Sequence, residues 1–247
     1  MSEPSTNRIS AKAWLCGGTF LLALACTGCT TSGSANVAGV RAVQSGQPMV
    51  AVNHFHNALA NDPTNADALY NMAATYHEMA KVNNDQAMMK QAEEFYNRCL
   101  DQDPNHVDCY RGLAVLLIDT KQPDRAYTLM EGWAQRNPTS ADPKVELARL
   151  YQEFGDDQTA LAQLNQAVAI DANNARAWAA LGSMREKSGD YSQALANYQR
   201  SLSLNNFQDG VSTRVATLTR QGVQAEAPLS PTGDTRIVQN PNTTQRY

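Results

Sequence analysis

Residues 175–208 read ARAWAALGSMREKSGDYSQALANYQRSLSLNNFQ. Large apolar and small residues recur here at steps of three and four on both sides of a Ser-Gly-Asp turn: Trp178, Leu181 and Gly182 precede the turn, and Tyr191, Ala194, Tyr198 and Ser201 follow it. Because Gly189 interrupts the helical pattern, the stretch predicts two amphipathic helices joined as a hairpin.

The same arrangement recurs upstream with a constant period of 34 residues. Three series carry this period: Ala92, Ala126, Ala160 and Ala194; Tyr96, Met130, Leu164 and Tyr198; and Leu113, Leu147 and Leu181. Such self-similarity is typical of stacked hairpins, each of which buries its apolar stripe against its neighbours. The sequence therefore predicts a helical repeat array.

These residues resemble the tetratricopeptide repeat, in which a large residue, Leu and a small residue line the first helix and Ala and an aromatic residue line the second. The resemblance implies an all-α solenoid of about five hairpins with a C-terminal capping helix. The predicted repeats are 35–65 (degenerate), 66–106, 107–140, 141–174 and 175–208. Residues 66–106 exceed the repeat length by seven, which predicts a longer hairpin. We expect a capping helix over 209–222 and a disordered tail over 223–247, where Pro, Thr, Asn and Gln predominate.

The composition of the 247 residues suits this fold and excludes one class of partner. Aromatic residues make up only 7% of the chain, which favours packed helices over sheets. Net charge is −4, so the chain has no basic field for nucleic acid.

The N-terminus has the pattern of an export signal. Arg8 and Lys12 precede an uncharged stretch over 14–26. This stretch is shorter than the ~20 apolar residues that a membrane-spanning helix needs, so we interpret 1–28 as a signal peptide. The alternatives are a membrane-spanning helix and an uncleaved apolar leader without lipid.

Small residues precede two cysteines, in Ala-Leu-Ala-Cys26 and Cys-Thr-Gly-Cys29. Both resemble the lipobox of bacterial lipoproteins, where the cysteine receives a diacylglycerol and becomes the mature N-terminus. We predict lipidation at Cys29, with Cys26 as the alternative, followed by a flexible polar tether over 29–34. Thr30, in place of Asp after Cys29, resembles lipoproteins of the outer membrane.

The cysteine count supports that choice. An export signal implies an oxidising compartment, where free thiols pair. Lipidation at Cys29 leaves Cys99 and Cys109, ten residues apart, as an even pair. We predict a disulfide between them; the alternative is two small buried thiols.

The resemblance places the contact surface on the concave face, which the first helices line. The family's contact positions correspond to Tyr70, Asn71, His77, Arg111, Val115, Ile118, Val145, Arg149, Gln152, Ser183 and Lys187. These residues offer apolar anchors for a peptide or a partner helix, and Arg111 and Arg149 are expected to bind carboxylates. The alternative is an ordinary solvated helix face.

No pattern of catalytic, cofactor-binding or metal-binding residues is present in the sequence. His54 and His56 would point about 200° apart on a helix, and His77 and His106 have no partner at ligand spacing. We therefore expect no enzyme, no metal and no cofactor.

The resulting hypothesis is a lipid-anchored interaction scaffold on the periplasmic side of a bacterial membrane. It resembles repeat lipoproteins that assist assembly of pili, secretins or secretion machines. One alternative is an adaptor that presents envelope proteins to a protease or cell-wall hydrolase; a remote alternative is a ligand-binding or enzymatic module.

Overall fold

The structure is a computed structural model that describes residues 27–226. Within this range the chain forms eleven α-helices and no β-strand, which confirms the all-α solenoid. The helices are α1 Thr27–Gln44, α2 Pro48–Asn61, α3 Ala66–Asn83, α4 Gln86–Gln102, α5 Val107–Asp119, α6 Pro123–Arg136, α7 Asp142–Glu153, α8 Asp157–Ile170, α9 Ala175–Lys187, α10 Tyr191–Leu204 and α11 Asp209–Arg220.

Consecutive helices pair as five antiparallel hairpins, from α1–α2 to α9–α10, and α11 packs on α10. The first helices of neighbouring hairpins also contact one another along the series α1, α3, α5, α7 and α9. The second helices have no comparable mutual contacts. The stack is therefore tighter on the side of the first helices, which form its inner, concave surface.

Local signals set the helix boundaries. Six of the described helices have an N-cap residue whose side chain accepts a hydrogen bond from a backbone N–H group of the first turn. These N-cap residues are Asn65, Asp85, His106, Asp156, Asn174 and Asp190. Gly155 and Gly189 have φ angles of +79° and +83° between the paired helices of the last two hairpins. Glycine adopts this conformation without steric cost, so the chain reverses there.

The core follows the 34-residue series. Ala92, Ala126, Ala160 and Ala194 are each fully buried, because the paired helices approach closely at these positions. The large residue four positions later fills the space beside each alanine. In the last hairpin that residue is Tyr198, and its ring lies against Gly182, where a Cβ atom would stand 2.5 Å from the ring.

The predicted tether at 29–34 is wrong, since these residues belong to α1. The later part of α1 packs on α2, and a helix that is already nucleated extends upstream at little cost. Residues 1–26, with the predicted export signal and Cys26, lie outside the described residues.

The second hairpin is longer than the others. Its α3 and α4 span 18 and 17 residues, against 13 in α5. The seven additional residues thus extend both helices up to a turn at Asn84, whose φ is 51°.

At the C-terminus, α11 buries Leu218 against Ala194, Leu195 and Tyr198. Val223 also packs there, so the predicted disorder does not begin at 223, and residues 227–247 lie outside the described part.

Candidate protein-binding groove

A cavity of about 230 Å³ opens on the inner surface between α5 and α7. Four of the residues predicted from the repeat positions line it: Arg111, Val115, Ile118 and Arg149. The floor is formed by Ala114, Met130 and Leu150, all buried, and the half-buried Val115 and Ile118 form the walls. The cavity therefore offers an apolar recess of the size of one or two side chains.

Three exposed charged residues line this recess, and one of them, Asp119, pairs with His77 and Lys81. Arg149 and Glu153 lie one turn apart on α7 and both line the cavity. Within residues 27–226 neither side chain is engaged in an ion pair or hydrogen bond. The rim thus presents one free cation and one free anion beside apolar side chains, an arrangement that can contact a partner segment carrying both charges.

Arg111, which the sequence predicted to bind a partner's carboxylate, is paired with carboxylates of its own chain. Its Nε and Nη2 atoms donate to Oε2 and Oε1 of Glu146 at 3.0 and 2.6 Å, and Nη1 donates to Asp108 at 2.7 Å. Arg176 contacts the same Glu146 carboxylate from α9. The hydrogen bonds with Glu146 are the main cause that raises the pKa of Arg111. Its guanidinium therefore joins neighbouring hairpins and is not free for a partner's carboxylate.

His77, another predicted contact residue, is also engaged within the protein. It is buried, and its Nε2 atom lies 3.0 Å from Oδ2 of Asp119 on α5. Burial lowers the pKa of His77, and the hydrogen bond with Asp119 opposes this effect. Lys81 lies 3.7 Å from the same carboxylate oxygen. This cluster connects the second hairpin to the third.

Most of the other predicted contact residues are buried or contact other side chains of this chain. Val145 is buried; the Asn71 amide donates to Asn36, Lys187 pairs with Asp157, and the Gln152 amide contacts the sulfur of Met184. Tyr70 stacks on His106, and Ser183 is exposed on α9. Among the predicted residues, Val115, Ile118 and Arg149 line the recess without an ion pair or hydrogen bond of their side chains within the described residues.

Repeat position alone identifies one rim residue that the sequence analysis omitted. Glu153 holds the thirteenth position of its repeat, as the predicted Lys187 does in the next repeat. Glu146 holds the sixth position of its repeat, as the predicted Asn71 does in 66–106. Repeat position did not reveal that arginines from two other hairpins enclose its carboxylate.

A disulfide joins Cys99 on α4 to Cys109 on α5, with a Cα–Cα distance of 6.5 Å. Both cysteines are fully buried. The bond therefore links the second and third hairpins.

His106 completes a group with this disulfide that the sequence analysis missed. Ligand atoms of Cys99, His106 and Cys109 all lie within 4.8 Å of one another. Nδ1 of His106 accepts the Cys109 backbone N–H, and Nε2 lies 3.2 Å from Asp67. Since the two sulfurs are bonded to each other, they are not free to ligate a metal, and His106 acts as the N-cap of α5.

Reduction of the disulfide is expected to lower the free energy of unfolding by about 2 kcal/mol, because the ten-residue loop then gains conformational freedom in the unfolded chain. Thermal denaturation with and without a thiol reductant measures this effect. The Cys99→Ala/Cys109→Ala variant is the control, and its midpoint should not respond to the reductant. A wild-type midpoint that also ignores the reductant would contradict the prediction.

A second cavity, of about 500 Å³, lies on the outer side between α6, α7 and α8. It forms where the apolar core of the first three hairpins ends and that of the fourth begins. Gln166 and Ile170 line it. The apolar and amide side chains in its lining make it a second candidate for a contact surface.

Inner and outer helix layers, a 34-residue period and a recessed inner surface define a helical repeat protein. Sequence-family comparison matches the tetratricopeptide repeat over 85–136 and 122–184, over 54–92 and over 177–207. The chain belongs to the tetratricopeptide repeat family.

The alignments with individual related proteins include only part of this chain and a small part of each relative. The mouse and human proteins named protein O-mannosyl-transferase TMTC1 are 29% and 27% identical over 122 residues, or 47% of this chain. The chain spans only 13–14% of the length of those relatives.

Among solved structures, the tetratricopeptide protein TTC0263 of Thermus thermophilus has a TM-score of 0.56 at 21% identity. The structural alignment covers 76% of this chain and 99% of the Thermus chain. PilF of Pseudomonas aeruginosa has a TM-score of 0.49 at 16% identity, covering 78% and 91%. These likenesses concern the fold.

The repeat array is a protein–protein interaction scaffold, and such a fold is typically non-catalytic. In the part of the chain that is described, no helix combines the length and apolar character needed to cross a membrane.

Proposed function

We propose that this protein is a scaffold tethered through a lipid on Cys29 to the periplasmic side of a bacterial envelope membrane, the outer membrane in particular. It holds components of a pilus, secretin or secretion machine during assembly. The charged N-terminal leader and the lipobox-like cysteines support the tether, with Cys26 as the alternative lipid site. The repeat family supports the scaffold.

The observation that carries the binding role is the recess between α5 and α7. Its apolar floor accepts an anchoring side chain, while Arg149 and Glu153 select the charges that flank the anchor. The pairing of Arg111 with Glu146 supports this role indirectly, since it keeps α5 and α7 at a constant separation. The partner expected here is an extended segment or helix with one apolar anchor beside an acidic and a basic residue.

The substitution Arg149→Glu is expected to weaken partner binding by about tenfold, because it replaces attraction by repulsion at the rim. The test is quantitative co-purification from membranes solubilised after crosslinking. Arg220→Glu on α11 is the matched control, since Arg220 is also exposed and lies outside the recess. Equal partner recovery with both variants would refute the assignment of the recess.

A further inference from the structure

The first hairpin, α1–α2 at residues 27–61, differs in charge from the rest of the protein. It contains no Asp or Glu, although the chain has 24 acidic residues, of which only Glu3 precedes Asp62. Arg41 is the hairpin's single Lys or Arg. An anionic surface would therefore attract this hairpin and repel the acidic hairpins that follow.

The same hairpin exposes an unusual share of apolar side chains. Among the described residues nine large hydrophobic side chains are exposed, and four of them are in this hairpin: Val37 (50% exposed), Val43 (44%), Met49 (61%) and Val50 (43%). Val37, the half-buried Val40 and Val43 follow one another at three-residue steps on α1, so they form one stripe. Met49 and Val50 follow at the start of α2, directly after the hairpin turn.

The stripe is exposed because this hairpin forms one end of the stack. In the described chain α1 packs against α2 and α3, so it lacks the neighbour that covers an interior hairpin on its other side. The opposite end differs, since α11 caps it and exposes polar residues such as Ser212, Thr213 and Thr219. Phe207, in the loop before α11, is exposed as well, but α11 begins with Asp209. Among the described residues, an end that combines exposed apolar side chains with no acidic residue is therefore specific to the N-terminal hairpin.

We infer that the α1–α2 hairpin lies on an anionic phospholipid surface, with Val37, Val43, Met49 and Val50 in the interfacial region and Arg41 beside the lipid phosphates. This inference rests on the proposed lipid at Cys29, which belongs to the same helix. At a rise of 1.5 Å per residue, Val43 lies ~21 Å along α1 from Cys29. The lipid holds one end of α1 at the bilayer, and the stripe holds the rest.

A second copy of this chain fits the same surface less well. Two such surfaces would bring their Arg41 side chains together without any carboxylate to pair them. Four exposed side chains also offer much less than the ~800 Å² per partner of a stable interface. A bilayer meets neither difficulty, because it supplies phosphates and an apolar layer at once.

Contact with the bilayer would also orient the groove. Neighbouring first helices pack ~10 Å apart, so the recess between α5 and α7 would stand ~20 Å or more from the lipid surface. This distance leaves the recess open to partners in the aqueous compartment.

The experiment uses protein purified from membranes with its native N-terminus and reconstituted into vesicles of phosphatidylethanolamine and phosphatidylglycerol with brominated acyl chains. Bromine quenches tryptophan by contact. Val43→Trp should lose about half of its added fluorescence, because its ring would lie at the boundary between headgroups and acyl chains. Val82→Trp is the matched control, since Val82 is 84% exposed on α3 and should stay unquenched. Trp133 and Trp178 are buried and give both variants the same background.

A second variant tests the charge. Arg41→Glu in the Val43→Trp background should reduce the quenching in these vesicles, since it places a carboxylate on the acid-free surface. Equal quenching at positions 43 and 82 would overturn the inference. So would a dimer in sedimentation equilibrium that Val43→Glu dissociates, because the hairpin would then contact a second copy.

Intact-mass analysis of the same samples separates this inference from the proposed tether. A lipidated protein without quenching at position 43 retains the tether and overturns the membrane-lying hairpin. An unlipidated protein that shows the quenching supports the hairpin's contact and overturns the tether.

Discussion

Trp133→Ala is expected to lower the free energy of unfolding by about 4 kcal/mol, the largest effect of any substitution considered, because a large buried ring leaves a cavity. Trp133 on α6 is only 1% exposed, and its ring stacks on Tyr110 of α5 with centroids 4.1 Å apart. The stack joins the two helices of the third hairpin, which carries one side of the recess. Denaturant titration followed by circular dichroism measures the loss.

Trp133→Phe is the matched control. Phenylalanine keeps an aromatic ring against Tyr110, and it removes the indole Nε1–H group, for which the described residues provide no acceptor. Loss of an unsatisfied buried donor offsets part of the lost packing, so we expect a cost below ~2 kcal/mol. Similar losses for the two variants would show that stacking on Tyr110 contributes little.

Glu146→Ala is expected to destabilise the protein by about 3 kcal/mol, because removal of a buried carboxylate leaves its partners without a counter-charge. The Glu146 side chain is 2% exposed and binds Arg111 from α5 and Arg176 from α9. Without it, two guanidinium groups from non-adjacent hairpins would face each other. The repulsion should also loosen the α5–α7 separation and thereby weaken partner binding at the recess.

Glu153→Ala on the same helix is the control for stability, since Glu153 is exposed and contacts no cation among the described residues. Its unfolding free energy should stay within ~0.5 kcal/mol of the wild type. Glu146→Ala with an equally small effect would contradict the structural role of the bridge. Thermal denaturation at low and high salt would show whether the loss is electrostatic.

Local patterns predicted most of the fold. The alanines of the 34-residue series are buried because each marks a close approach of paired helices, and the period reveals that approach directly. The turns at Gly155 and Gly189 were equally visible. The predicted tether was wrong because Thr, Ser and Gly composition suggests flexibility, whereas continuity with the packed part of α1 keeps residues 29–34 helical.

The groove was only partly predictable. Repeat positions placed Val115, Ile118 and Arg149 on the inner surface, where all three line the recess, because the family geometry repeats from hairpin to hairpin. Repeat positions did not show that Arg111 forms an ion pair with Glu146, since that pairing depends on how one hairpin is rotated relative to the next. The proximity of His106 to the two cysteines was not predicted for a similar reason, because His106 lies in the loop between α4 and α5.

Site-specific photocrosslinking in intact cells tests the scaffold and its surface most directly. A photoreactive residue at Ile118 lies in the inner recess, and one at Gln166 lies at the outer cavity. We predict that Ile118 captures a discrete envelope protein, that Gln166 does not, and that Arg149→Glu removes the Ile118 adduct. Capture from Gln166 alone would contradict the inner groove and place the contact surface on the second helices.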